Sequence, residues 1–196
     1  MEKPPDHRRF IWTIDNADKI IQVNDECLAF ARENTAPQLT AVSVLDQPIW
    51  GFIQGQEAIY LYKQIYGRVR AGMSPLTFPF RCDSPDCRRF MEMKLSLLPG
   101  DAIQFISHIL REEWRDPVDL LEASGDRSEE FLKICSWCRK VYIPGHGWGE
   151  VEAAIDALDL FGRLSLPRMT HTICDSCYDA VRLELNQESD DGPNQN

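Results

Sequence analysis

Two cysteine pairs in the last third of the chain limit what it can fold into: Cys135-Ser136-Trp137-Cys138 and Cys174-Asp175-Ser176-Cys177. A CxxC spacing lets both sulfurs of a pair reach one cation from a single tight turn, and two such pairs complete a tetrahedral site. The fold of this region must therefore bring residues 135–138 against residues 174–177. Zinc in a structural role is the metal that four thiolates favour; an iron–sulfur cluster and a thiol–disulfide switch draw on the same residues. His171, three residues before Cys174, is placed to hydrogen-bond a thiolate or to stand in for one as a ligand.

The residues around the pairs predict a small module over 131–187. Cys135 to Cys138 reads as a knuckle. Val141 to Ile143 and the glycine-rich turn Pro144-Gly145-His146-Gly147 then read as a hairpin. Apolar Val151, Ala154, Ile155 and Leu158 predict a helix that Gly162 ends. The last element, from Cys174 to Leu185, is a helix whose first turn carries Cys177 and whose free N–H groups stabilise thiolates. Knuckle, hairpin and ligand-bearing helix describe a treble-clef-like zinc finger. The 35 residues between Cys138 and Cys174 make the Val151 helix an insertion. Trp137 is expected to pack on the stretch before the module or on its last helix, and His146 to be exposed.

Composition narrows the partners. The net charge of −10 disfavours a nucleic-acid binder, which needs a basic face to neutralise phosphates; Arg68/Arg70 and Arg88/Arg89 are the candidates for a local basic patch, and such pairs are mostly solvated surface. No apolar run approaches the roughly 18 residues of a membrane helix. The polar opening, Met1-Glu2-Lys3-Pro4-Pro5-Asp6, does not read as a signal peptide. A cytoplasmic, reducing location is the expectation, and there CxxC pairs serve metals or redox chemistry.

Ahead of the module, residues 9–110 carry their own pattern. Phe10, Trp12 and Ile14 alternate as a strand, Asp15 to Asp18 is turn chemistry, and Lys19 to Val23 returns. Asn24 caps a helix opened by Asp25 and Glu26, with Cys27 as a small buried hydrophobe. Gln56 to Arg70 is helical, with Ile59, Tyr62, Tyr66 and Val69 as its core stripe. Leu76 to Phe80, Met91 to Leu97 and Ile103 to Leu110 are strands, with Pro79 suiting an edge. Cys82 and Cys87 fall in the first hairpin and are expected to act independently. Residues 111–130 are charged and read as a linker, residues 1–8 and 188–196 as tails, the latter disordered.

Strand, strand, short helices, long helix and three strands is an order that resembles a PAS domain. The likeness is carried by Trp12-Thr13-Ile14-Asp15 through Val23-Asn24-Asp25-Glu26, by Pro48-Ile49-Trp50-Gly51-Phe52-Ile53, by the helix ending Arg68-Val69-Arg70, and by Phe80-Arg81-Cys82-Asp83-Ser84-Pro85. It implies an α+β fold in which an antiparallel sheet and helices enclose a sensory or partner-binding core. The flavin-type Asn-Cys-Arg-Phe motif is absent and the long helix has no His; His108, on the last strand, suits the surface. A filled core without cofactor is therefore expected.

The cysteine module also resembles one attached to bacterial PAS and other signalling proteins. The match covers Cys135, Trp137, Cys138, Trp148, Glu150 or Glu152, His171, Ile173, Cys174 and Cys177, with departures at Thr172, Asp175 and Ser176. It implies signalling and a metal site, and no defined reaction. The expected function is a sensory adaptor acting on a protein partner or on a second copy of itself, possible as a homodimer through the PAS part. The alternative is a thiol redox sensor, favoured if Lys133, Arg139 and Lys140 lie near exposed sulfurs. An enzyme would need an open coordination position that four cysteines do not leave.

Overall fold

Asn24 shows how the first elements are tied together. In a computed structural model, which describes residues 7–122, 126–163 and 165–187, strands β1 (Arg9–Ile14) and β2 (Ile20–Val23) run into helix α1 (Asp25–Glu33). The Asn24 side-chain oxygen accepts from the backbone N–H of Cys27, capping α1, and from that of Ile11 in β1, both at 3.1 Å. Its amide donates to the Arg9 carbonyl at 2.7 Å. One side chain thus fixes the helix start and its angle to the strand. Residues 1–6 of the tail expected at 1–8, and the whole tail expected at 188–196, lie outside the described residues.

A one-turn helix α2 (Ala41–Val44), capped reciprocally by Thr40 and Ser43, leads through a 3-10 turn to the long helix α3 (Gln56–Arg70). Strands β3 (Leu76–Arg81), β4 (Cys87–Leu98) and β5 (Ala102–Trp114) follow. The five strands form an antiparallel sheet in the order β2-β1-β5-β4-β3. Proline-bearing β3 is an edge, as a strand with a missing donor requires. The architecture is α+β with an antiparallel sheet, in the element order that the resemblance implies.

Helix α3 corrects one expectation. Its buried face is Ala58, Leu61, Ile65, Tyr66 and Val69, with Tyr62 only half-buried. The predicted stripe was shifted because α3 is flanked on two sides: the sheet takes one face, and the cysteine-bearing half takes the adjacent one.

That second half begins inside the predicted linker. β5 continues to Trp114, a 3-10 turn covers Asp119–Leu121, and β6 occupies Arg127–Cys135. β7 (Val141–Ile143), β8 (Gly147–Gly149), helix α4 (Val151–Ala157), β9 (Leu166–Thr172) and helix α5 (Asp175–Gln187) complete it. The second sheet has the order β8-β7-β6-β9, with β9 parallel to β6. The expected α4 is shorter than predicted, ending at Ala157, with Leu160 still buried beyond it.

The halves share one core. Cys135, Trp137, Cys174, Val181 and Leu185 belong to the same cluster of buried side chains as Leu61, Ile65 and Phe78. At the seam Gly55, at φ +96°, precedes α3, and a Cβ built there would lie 2.8 Å from the His171 carbonyl oxygen in β9. Both the left-handed backbone and the backbone neighbour demand glycine. Gly55→Ala should lower stability by about 1–3 kcal/mol, read as a drop in the denaturation midpoint; an unchanged midpoint would refute the close approach.

Candidate metal centre and core cavity

Parallel pairing explains why the two cysteine pairs meet. Adjacent parallel strands end at the same edge of a sheet, and β6 and β9 are in register there, Cys135 opposite Thr172. Cys135 closes β6, and the chain turns back at once: Arg139 donates to the Cys135 carbonyl at 3.0 Å and Cys135 to that of Lys140 at 2.8 Å. Arg139 takes the left-handed conformation, φ +61°, that this knuckle needs. Cys174 lies just past the end of β9, immediately before α5, and Cys177 is in the first turn of that helix.

The four sulfurs lie within 4.8 Å of one another, and those of Cys138 and Cys174 are 3.8 Å apart. A tetrahedron with metal–sulfur bonds of about 2.3 Å has edges of about 3.8 Å, so the donor set fits a single cation. All seven cysteines among the described residues are free of disulfides. Cys135 and Cys174 are buried, while Cys138 and Cys177 are half-buried. Backbone N–H groups are aimed at the sulfurs, that of Cys174 reaching Cys135 Sγ at 3.4 Å.

This crowding also sorts the protons. Hydrogen bonds from Cys138 and Cys177 pull the Cys135 thiol far below its ordinary range. The same contacts push Cys138 up to about 12 and Cys177 upward as well. Cation binding at such a centre releases the remaining protons. His171 lies on β9 opposite Ile134 and is not among the mutually close donors. Burial, then the charge of Arg139, lowers its pKa.

Trp137, expected on the stretch before the module or on its last helix, shares a buried cluster with Val181 and Leu185 of α5. It also sits against the first half, its ring 5.4 Å from that of Tyr62 and 5.9 Å edge-on from that of Phe78. Its Nε1–H donates to the Pro79 carbonyl at 2.7 Å, and its own carbonyl accepts from the Arg81 N–H at 2.8 Å. Ser136 Oγ donates to the Gln54 carbonyl at 3.0 Å. The knuckle therefore covers the outer edge of β3.

Ion pairs reinforce the seam. Arg81 pairs with the fully buried Asp83 and reaches Glu150 at 2.8 Å. Arg88 reaches Glu152 at 2.8 Å, and Arg115 reaches it at 2.7 Å. Arg89 pairs with Glu112 at 3.2 Å, and Arg70 with Asp18 at 2.8 Å. Three arginines of the two basic pairs, Arg70, Arg88 and Arg89, are thus engaged by acids. Cys82 and Cys87 are both free of disulfides; Cys87 is buried, its sulfur 3.7 Å from the Arg88 carbonyl, and Cys82 packs on the cluster of Phe10, Met91 and Ile109.

The core under the first sheet is not filled. A cavity of about 460 Å³ lies between the sheet and helices α1 to α3, lined by Phe10, Trp12, Tyr62, Tyr66, Phe105 and Ser107 among others. Trp12 stacks on Phe105 at 5.1 Å, and Tyr66 meets Phe105 edge-on at 5.4 Å. Tyr62, which touches Trp137, lines the same cavity, so the cavity wall and the cysteine knuckle meet through one pair of aromatic rings. Cys27 donates weakly to the Ile11 carbonyl, and burial pushes its thiol up to about 11. Sequence reasoning missed the cavity because it arises where side chains from β1 to β5 and α1 to α3 fail to meet.

Among the described residues no helix is long and apolar enough to cross a membrane. No protein-family model matches the chain. No curated protein matches it either. Among solved structures it is similar to the PAS domain of the quorum-sensing receptor RpfR from Cronobacter turicensis in complex with BDSF, at 14% identity and TM-score 0.41, covering 56% of this chain and 100% of that one. It is similar to a sensory box sensor histidine kinase from Vibrio cholerae, at 10% identity and TM-score 0.38, covering 53% and 82%. It is also similar to the PAS domain of an HTR-like protein from Haloarcula marismortui, at 19% identity and TM-score 0.35, covering 54% and 84%. None of these scores reaches 0.5, so function has to be read from this chain's own geometry.

Proposed function

We propose that the chain is a cytoplasmic signalling adaptor in which a PAS-type sensory half is coupled to a zinc-stabilised module that contacts a protein partner or a second copy of the chain. The observation that carries this reading is Trp137. It lies between two metal-ligating cysteines and is bonded to the edge of the first sheet through Pro79 and Arg81. It also touches Tyr62, a wall of the cavity. A change in the cavity is thereby one ring contact from the metal knuckle.

Zinc is favoured over a redox switch because Cys135 and Cys174 are only 0% and 2% exposed. Arg139, whose charge is felt at Cys135, is the one feature that favours the thiol-sensor alternative. With sulfur in all four positions, no water-bearing coordination site remains for a hydrolytic reaction, and we assign no catalysis.

Elemental mass spectrometry should find one zinc per chain that survives mild peroxide. Zinc released together with loss of free thiols would favour the redox sensor, and iron with a visible absorbance band would remove zinc from the account. Hydrogen exchange with and without a chelator tests the coupling. Protection should fall at Arg81 in β3 as well as in residues 127–187; a loss confined to the latter would refute it.

A further inference from the structure

Within the apolar stripe that β5 turns to the core, Ile103, Phe105 and Ile109 are interrupted by Ser107. Ser107 is 1% exposed and faces Phe10 on one neighbouring strand and Met93 on the other. Its hydroxyl has no hydrogen-bond partner within the protein, and neither does Trp12 Nε1, a second buried polar atom. Both residues line the same cavity. Buried polar atoms are satisfied in nearly all folded proteins, and an unpaired pair facing one space points to something that fills it.

We propose that this cavity binds a neutral, largely apolar small molecule bearing a hydrogen-bond-accepting oxygen, such as a ketone, aldehyde, ester or alcohol, and rejects carboxylates and other ions. The proposal rests on the sensory reading above and names the class of ligand for it. An indole N–H can only donate, so the ligand must offer an acceptor; the Ser107 hydroxyl can donate to the same oxygen type or accept from an alcohol. The remaining wall is aromatic and aliphatic. Among the described residues no lysine, arginine, histidine, aspartate or glutamate lines the cavity, so an ion would be desolvated there with no countercharge from them. Burial keeps the lining thiols of Cys27 and Cys82 protonated, adding no charge. The volume falls in the range of small-molecule sites.

The test is displacement of an environment-sensitive naphthylamine dye from the full-length, zinc-loaded protein. The competitors are 2-undecanone, decanoate held ionised, and undecane as a chain without oxygen. The ketone should displace the dye at least tenfold more effectively than decanoate. Ser107→Ala and Trp12→Phe should each weaken the ketone about fivefold, the loss expected for one hydrogen bond. Neither should weaken undecane, and Ser107→Ala, being near-isosteric, keeps the test valid if Trp12→Phe perturbs the fold. Decanoate matching the ketone, or a ketone indifferent to Ser107→Ala, would overturn the ligand class. Failure of every competitor would overturn the site as well, while the exchange experiment above judges the adaptor reading separately.

Discussion

Cys174→Ser should release the metal and unfold residues 127–187. Cys174 is 2% exposed, its sulfur is 3.8 Å from that of Cys138, and its N–H is bonded to Cys135. Among the described residues, the rest of this half's core is a small group around Val118, Leu120, Ile134, Val141, Ile143 and Val151. Structural zinc sites contribute on the order of 10–16 kcal/mol in apparent binding free energy, comparable to the whole net stability of a typical domain, about 5–15 kcal/mol. Loss of bound zinc, loss of far-ultraviolet circular dichroism and new proteolytic cuts between β6 and α5 are the expected results. Cys27→Ser, outside the donor set, is the control: zinc retained and stability altered by about 1 kcal/mol. A Cys174→Ser protein that keeps its zinc and melts like the parent would disprove the four-cysteine centre.

Trp137→Ala should be the most damaging change among residues that ligate nothing. It removes an indole that is 7% exposed, its contacts with Tyr62 and Phe78, and the bond to Pro79. Buried Trp-to-Ala changes cost about 3–5 kcal/mol. Zinc should stay bound, because the cysteines and the backbone bonds of the knuckle are untouched. Trp137→Phe separates the terms: it keeps a ring and leaves the Pro79 carbonyl unpaired, a loss of about 1–3 kcal/mol. Denaturant titration measures both. If Trp137→Ala left the midpoint unchanged, Trp137 would not join the two halves.

What could be read from the sequence was local. Asn24 as a cap, the hairpin between β1 and β2, Pro79 on an edge and the knuckle of Cys135 and Cys138 follow from contacts a few residues apart. Strands β6 and β9 were not legible. Their pairing spans about forty residues of chain, and β6 carries little apolar alternation: Glu129, Glu130 and Lys133 interrupt it, and its aromatic residue, Phe131, is 63% exposed. The same distance hid the partner of Trp137 and shifted the buried face of α3. Arg88 looked like surface charge until Glu113 and Glu152 were found beside it. Ser107 sat inside a strand pattern as an ordinary interruption; only the missing partner made it informative.

An edge strand with bare N–H and C=O groups invites pairing with another chain. On β3 two of those groups are taken by a single tryptophan, at Pro79 and Arg81. At the opposite border, Ile20 of β2 is bonded in both directions to the segment at Asp46 and Gln47. A copy that has lost its metal would drop the first of these shields and present an adhesive border to its neighbours. Metal starvation would then announce itself as clumping, visible by light scattering before the sheet itself melts.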